Sequence, residues 1–318
     1  MITNDISIEG IKALGEYLEF VPYDVTRKDL YNADTLYQGY DPKSPETREE
    51  CYDSNVYNYY IKTGKHAYSA KETLARCLHD YGIGRALDTF LTDFDPKSVV
   101  GIMGGHALLR TDALYKEIVQ VSKRLTEEGF LMISGGGPGA MEATHLGAWM
   151  AGYSQADVNA VVHRLGSAPD FNDEAWLRTA FEVIRDYPQT RYKSLSIPTW
   201  LYGHEPSTPF ATHIAKYFDN SIREDNILTY AFGGIIYSPG SAGTIQEIFQ
   251  DAVQNHYLSF GFASPMVFLG TKFWTQDMPI YPLLLSLAKT GKYKNLLLSN
   301  TDRSDDIINT LLDFRHNS

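Results

Sequence analysis

The chain has 318 residues, 43% of them hydrophobic and 21% charged, which is an ordinary globular composition with length for one large domain or two modest ones. Its net charge of −11, with no lysine/arginine run, argues against a nucleic-acid backbone or a membrane surface as partner; a small anion stays open, since a local loop binds phosphate whatever the global charge. Two cysteines, Cys51 and Cys77, exclude a disulfide framework and lack zinc-site spacing, and no signal-type N-terminus or apolar run of ~18 residues occurs, so a cytoplasmic protein with reduced thiols is expected.

Residues 1–95 read as a mainly helical N-terminal cap. They carry half of the 22 tyrosines and an exposed turn at Asp41-Pro42-Lys43-Ser44-Pro45-Glu46. The periodicity predicts a helix over Ser69–Leu91 with Leu74, Cys77, Leu78 and Tyr81 at helical spacing, and with Gly82 and Gly84 as breakers. Packing of a small helical layer is the first reading of the tyrosines, and a stacking surface for a nucleobase is the second.

From Ser98 onward strands alternate with helices. Val99–Met103 is a strand ending in Gly104-Gly105-His106, and Leu114, Ile118, Val121 and Leu125 mark a helix stopped by Gly129. Phe130–Ser134 is the second strand, followed by Gly135-Gly136-Gly137-Pro138-Gly139 and a helix over Ala140–Ala151. A helical insertion at about 153–194 holds Gln155–Leu165 and Asp173–Tyr187. Ile197–Tyr202 is a third strand with Pro198 at its start, Ala211–Phe218 is strand or helix, and Ile222–Tyr230 is helical. Gly234–Tyr237 is then a strand, Pro239 and Gly240 stop it, and Gly243-Thr244 opens a helix through about His256. Pro265–Gly270 and Leu296–Leu298 are further strands, separated by a helix over Tyr281–Thr290, and Ser304 caps the last helix. The pattern predicts an α/β, Rossmann-like, doubly wound and mostly parallel sheet over 96–318. Ligands of such sheets bind outside the carboxyl ends of the strands, where the glycine loops at 104, 135 and 240 fall.

Gly135 to Ala140 satisfies the G-x-G-x-x-A dinucleotide pattern, but behind the second strand rather than the first, and no Walker A loop occurs. Several independent glycine loops suggest a mononucleotide gripped from several sides rather than an extended NAD. Either loop alone is equally a tight connection without ligand. Glu247 falls on the first turn of the helix after Gly240, where favourable interaction with the helix dipole and catalysis are both open roles. Arg223 is equally a surface ion-pair residue beside Glu224 and Asp225. His106, His204 and His213 lack ligand spacing, so no metal is expected.

Two ordered segments, Ser134-Gly135-Gly136-Gly137-Pro138-Gly139-Ala140-Met141-Glu142 and Pro239-Gly240-Ser241-Ala242-Gly243-Thr244-Ile245-Gln246-Glu247, resemble the paired signatures of the Lonely Guy (LOG) family, long misannotated as lysine decarboxylases. The Gly-Pro-Gly-Ala-Met-Glu form and the Gly-Gly-His after the first strand are closer to the larger bacterial nucleotide 5'-monophosphate nucleosidases of that superfamily. The resemblance covers roughly residues 98–260. It implies hydrolysis of the N-glycosidic bond of a nucleoside 5'-monophosphate to free base and ribose 5-phosphate, without cofactor or metal, by a homodimer or larger homo-oligomer. Glu247 matches the catalytic glutamate and Arg223 the preceding arginine. Gly135, Gly136, Gly137, Gly240, Gly243 and Thr244 match the phosphate-binding turns, and Gly104, Gly105, Gly139, Glu142 and Ser241 complete the implied substrate-binding set. Two positions depart from the pattern. Ser241 replaces the second glycine of the PGG signature, which is costly if that position needs φ > 0, and Glu224 stands where the plant-type pair has lysine. A general nucleotide substrate is therefore expected over cytokinin activation. The alternative is a non-catalytic nucleotide-binding sensor or carrier with the same pocket.

Overall fold

The computed structural model describes residues 15–18 and 20–317, so most of the first turns of the expected N-terminal cap, and Ser318, lie outside the described residues. Seven strands form one sheet: β1 (Val99–Met103), β2 (Leu131–Ser134), β3 (Ser194–Ser196), β4 (His213–Ile214), β5 (Gly234–Tyr237), β6 (Pro265–Leu269) and β7 (Leu297–Thr301). Their order is β4-β3-β2-β1-β5-β6-β7, and every pairing is parallel. The chain thus builds outward from β1 to one edge, returns, and builds outward from β5 to the other. The crevice between β1 and β5 is the switch point of a Rossmann-like α/β sheet.

Both faces of the sheet are covered, and the strand residues divide between them with a period of two. Val99 and Met103 of β1, Ile235 and Tyr237 of β5, and Met266 and Phe268 of β6 join one apolar cluster. Val100, Ile102, Ile236, Val267 and Leu269 join the other. The second cluster is filled by helices α4 (Ala113–Glu127), α5 (Ala140–Trp149), α6 (Gln155–Leu165) and α7 (Ala175–Asp186), which come after the N-terminal helices α1 (Ala33–Leu36), α2 (Tyr52–Thr63) and α3 (Ala70–Leu91). The first cluster takes those N-terminal helices together with α8 (Asn220–Tyr230), α9 (Ala242–Tyr257) and α10 (Ile280–Lys289). The N-terminal helices therefore share a core with the sheet. The last helix, α11 (Ser304–Asn317), lies over β6 and β7.

Three expectations are corrected. The third strand is Ser194–Ser196, ahead of the expected Ile197–Tyr202. Ile197 N–H still donates to Ser134 C=O at 2.9 Å, but Pro198 has no N–H to continue the ladder, and Trp200–Tyr202 turns away as a 3₁₀ turn. The ambiguous Ala211–Phe218 supplies only the two residues of β4 and then an extended run to α8. In α3, Gly82 and Gly84 do not break the helix; a Cβ at Gly82 would stand 2.3 Å from Arg27 C=O, so that glycine admits the N-terminal chain.

The burial of α3 also runs against its apolar spacing. Leu74, Cys77, Leu78 and Tyr81 are exposed, whereas Glu72, Arg76, His79 and Asp80 are buried. Each buried polar group is satisfied. Glu72 pairs with Arg76 at 2.7 Å and accepts from Tyr23 at 3.1 Å and Tyr59 at 3.2 Å. His79 bonds Tyr31 Oη at 2.9 Å, and Asp80 accepts from the Phe218 and Asp219 N–H groups. Asp219 in turn caps α8 through Ser221 and Ile222, so α3 fixes where α8 begins.

Candidate functional site

A cleft opens at the carboxyl ends of β1, β2 and β5. It encloses about 280 Å³, at the small end of the ~300–1,000 Å³ of small-molecule sites. Its floor is three loops bonded to one another. Gly105 N–H donates to Pro239 C=O at 3.2 Å, Gly105 C=O accepts from Ala140 N–H at 3.1 Å, and Ser238 N–H donates to Met103 C=O at 2.8 Å. Gly136 (φ +80°) and Gly139 (φ +71°) take the left-handed conformations that bend the loop after β2. Gly104 is required by proximity, because a Cβ there would stand 1.9 Å from Ser238 Oγ and 2.8 Å from Ala140 Cβ.

The two glycine loops offer different helix ends. At α5 the first N–H is already given to Gly105 C=O. At α9 the preceding Ser241 makes no side-chain cap, so the first N–H groups have no intrahelical partner, and two of the residues that carry them, Gly243 and Thr244, line the cleft. No atom lies within 4 Å of where a Gly243 Cβ would be. Open N–H groups at the positive end of a 16-residue helix have the polarity that suits an anion. Ser241 itself has φ −116° and ψ −148°, so its Cβ carries no strain and the departure from the glycine signature has no backbone cost.

One turn along α9, Glu247 faces the same cleft. Burial pushes its carboxyl up to about 7, the Arg223 charge draws it down, and the Glu224 charge adds to the rise. Arg223 sits in the first turn of α8, where Asn220 Oδ1 accepts from its Nη2 at 2.7 Å. Glu224 accepts from Asn220 Nδ2 at 2.7 Å and from Gln246 Nε2 at 3.0 Å, with Arg223 Nη2 at 3.6 Å. No side chain among the described residues hydrogen-bonds the Glu247 carboxyl.

Of the residues singled out in the sequence, Glu247, Arg223, Gly104, Gly105, Gly135, Gly136, Gly137, Ser241, Gly243 and Thr244 line the cleft together. Gly139 and Gly240 shape its loops from behind: a Cβ at Gly240 would stand 2.2 Å from Thr244 Oγ1. Glu142 does not line the cleft. It is fully buried and bonded to Arg110 (Nε–Oε2 3.0 Å) and to Tyr115 Oη at 3.0 Å, so its carboxylate is engaged in a buried ion pair. None of the described N-terminal tyrosines lines the cleft either.

Sequence reasoning missed Lys216, Tyr202 and Glu205, all of which line it. Lys216 is buried on the run after β4 and donates to Asp53 of α2 at 2.6 and 2.8 Å and to Ser207 Oγ at 2.9 Å. A lone lysine inside Ala211–Phe218, a stretch with no Asp, Glu or Arg, was the available signal. Tyr202 and Glu205 lie on a connection without periodicity, where no signal exists. Among the described residues no cluster of three or more His, Cys, Asp or Glu side chains is arranged to hold a metal ion, and no helix is long and apolar enough to cross a membrane.

No protein-family model matches the chain, and no curated protein is similar to it. Among solved structures, it is similar to the molybdenum cofactor binding protein from the phototrophic bacterium Rippkaea orientalis, with a TM-score of 0.41 and 13% identity over 67% of this chain and 96% of the other. It is also similar to the structural-genomics target TM1055, with a TM-score of 0.44 and 16% identity over 68% of this chain and 98% of the other.

Proposed function

We propose that the cleft binds a nucleoside 5'-monophosphate and hydrolyses its N-glycosidic bond, giving free base and ribose 5-phosphate. The observation that carries this reading is the placement of Glu247, a carboxyl with no hydrogen-bonded side-chain partner among the described residues, one turn from the open N-terminus of α9. The phosphate sits on the N–H groups of Gly243 and Thr244, and the ribose reaches back to Glu247. As the bond to the base lengthens, positive charge develops on the ribose ring. The Glu247 carboxylate stabilises it and takes a proton from the water that adds to the anomeric carbon; the base leaves with the bond's electron pair and takes a proton from solvent, and Glu247 returns its own proton to solvent. A carboxyl held near 7 is basic enough to accept that proton, and Arg223 beside it keeps a share ionised. The reaction calls for no metal or cofactor.

Incubation with a panel of purine and pyrimidine mononucleotides, with chromatographic detection of free base, tests the reading. Release of base and ribose 5-phosphate in equal amounts is expected. Folded protein that releases base from none of them contradicts it.

A homodimer or larger assembly goes with this reading. Support comes from α10, which leaves Leu283 and Leu285 exposed and buries only Leu284 fully. Sedimentation showing a monomer at working concentration would exclude it.

A further inference from the structure

We infer that Tyr202 is the nucleobase platform of the cleft, an inference that rests on the nucleotide reading above. The groups a nucleotide would need share the cleft lining. The open N-terminus of α9 stands at Gly243 and Thr244, and Glu247 follows one turn on. Arg223 is close enough for its charge to act on the Glu247 carboxyl, and its guanidinium carbon stands over one face of the Tyr202 ring, 5.7 Å from the centroid. A nucleotide with its phosphate on that N-terminus and its anomeric carbon at Glu247 extends its base toward Arg223 and Tyr202.

Tyr202 is 44% exposed, a large aromatic side chain left uncovered in a cleft wall. Yet the turn that carries it is clamped from both sides by α2. On one side Trp200 is fully buried and its indole N–H donates to Asp53 Oδ1 at 2.9 Å. On the other, Gly203 lies against the Tyr57 ring, where a Cβ would stand 2.3 Å from Cδ2. Thr199 Oγ1 accepts from Leu201 N–H at 3.1 Å and closes the turn. Asp53 and Tyr57 are one helical turn apart on the same face of α2, so one N-terminal helix holds the turn that carries the ring. A pre-positioned ring loses little freedom when a base stacks on it. Stacking uses the π-face that every base has, so the platform accepts purines and pyrimidines alike.

Calorimetric titration of full-length protein in a Glu247→Gln background, with Tyr202 intact, Tyr202→Ala or Tyr202→Phe, tests the inference. The ligands are AMP, UMP and ribose 5-phosphate. Tyr202→Ala is expected to weaken both nucleotides by roughly tenfold or more while ribose 5-phosphate stays within about twofold, and Tyr202→Phe to bind all three as the parent does. Nucleotide affinities unchanged by Tyr202→Ala, or a parallel loss for ribose 5-phosphate, would overturn the platform. A Tyr202-dependent affinity in a protein whose wild type releases no base would uphold the platform and sink the hydrolase reading. Absence of nucleotide binding in every form would overturn both.

Discussion

The Gln246 side-chain amide donates to Glu224 Oε2 at 3.0 Å and so ties the neighbour of Glu247 on α9 to the neighbour of Arg223 on α8. Glu224 thereby acts as a strut between the two helices that carry the proposed catalytic pair. It also places a negative charge near Glu247 and contributes to the upward shift of that carboxyl. In the proposed mechanism Glu247 works as the carboxylate, so kcat/KM for base release is expected to rise with pH through an ionisation near 7. Glu224→Gln keeps an acceptor for Gln246 but removes the charge, so the ionisation moves to lower pH. A pH–rate profile of the two proteins checks this; an acid limb that stays in place or moves upward contradicts it.

Gly104 and Gly243 both line the cleft but for opposite reasons, and alanine separates them. At Gly104 the new Cβ meets Ser238 and Ala140, so Gly104→Ala is expected to destabilise the fold by ~1–3 kcal/mol. At Gly243 it meets nothing, so Gly243→Ala is expected to keep or raise stability, by up to ~1 kcal/mol, while impairing phosphate binding. Urea denaturation read alongside ribose 5-phosphate titration would show the two effects apart. Loss of stability in Gly243→Ala would mean that the space there is not ligand space.

Asp53 joins the N-terminal region to the cleft through Lys216 and Trp200. Asp53→Ala leaves the buried Lys216 ammonium without its carboxylate and is expected to cost ~3–5 kcal/mol. The double variant Asp53→Ala/Lys216→Met removes both charges and is expected to recover much of that loss. Chemical denaturation of the single and double variants measures the coupling, and additive losses would argue against a buried pair.

Asp251 is a second carboxyl on α9, fully enclosed, with Tyr237 Oη donating to it at 2.7 Å. Burial lifts it to about 7, against the opposing pull of that hydrogen bond. The folded protein therefore keeps a proton there that the unfolded chain has lost from about pH 4 upward. This stabilisation is fully present below the unfolded value and is lost as pH rises through about 7. Asp251→Asn retains an acceptor for Tyr237 without the charge. Relative to wild type it is expected to gain stability, on the order of a few kcal/mol, between about pH 4 and pH 8. The difference isolates Asp251 from His145, whose depressed value of about 3 gives the opposite slope, with stability lost as pH falls below about 6.5. Thermal melts of both proteins across that range test it, and parallel curves would contradict it.

The sheet was legible in the sequence wherever an apolar run met a glycine turn. β1, β5 and β6 lie where Val99–Met103, Gly234–Tyr237 and Pro265–Gly270 predicted them, because strands covered on both faces read as continuous apolar runs. β3 was misplaced because Pro198 follows it and Trp200 is drawn aside by Asp53, a contact more than a hundred residues away in sequence. In α3 the periodic residues are the exposed ones, since the helix buries a satisfied polar network that no hydrophobicity pattern can reveal. The cleft floor was visible as glycine motifs. Its Lys216 and Tyr202 walls were not, because both depend on α2, and Glu142 shows the converse, a motif residue taken up by Arg110.

In the proposed reaction Glu247 acts on the glycosidic bond of a nucleotide anchored at the start of α9. Its most direct test is the paired measurement of base release and nucleotide binding for wild type and Glu247→Gln. The expected result is a loss of roughly 10²-fold or more in turnover with nucleotide affinity little changed. Full turnover in Glu247→Gln, or turnover and binding lost together, would contradict it.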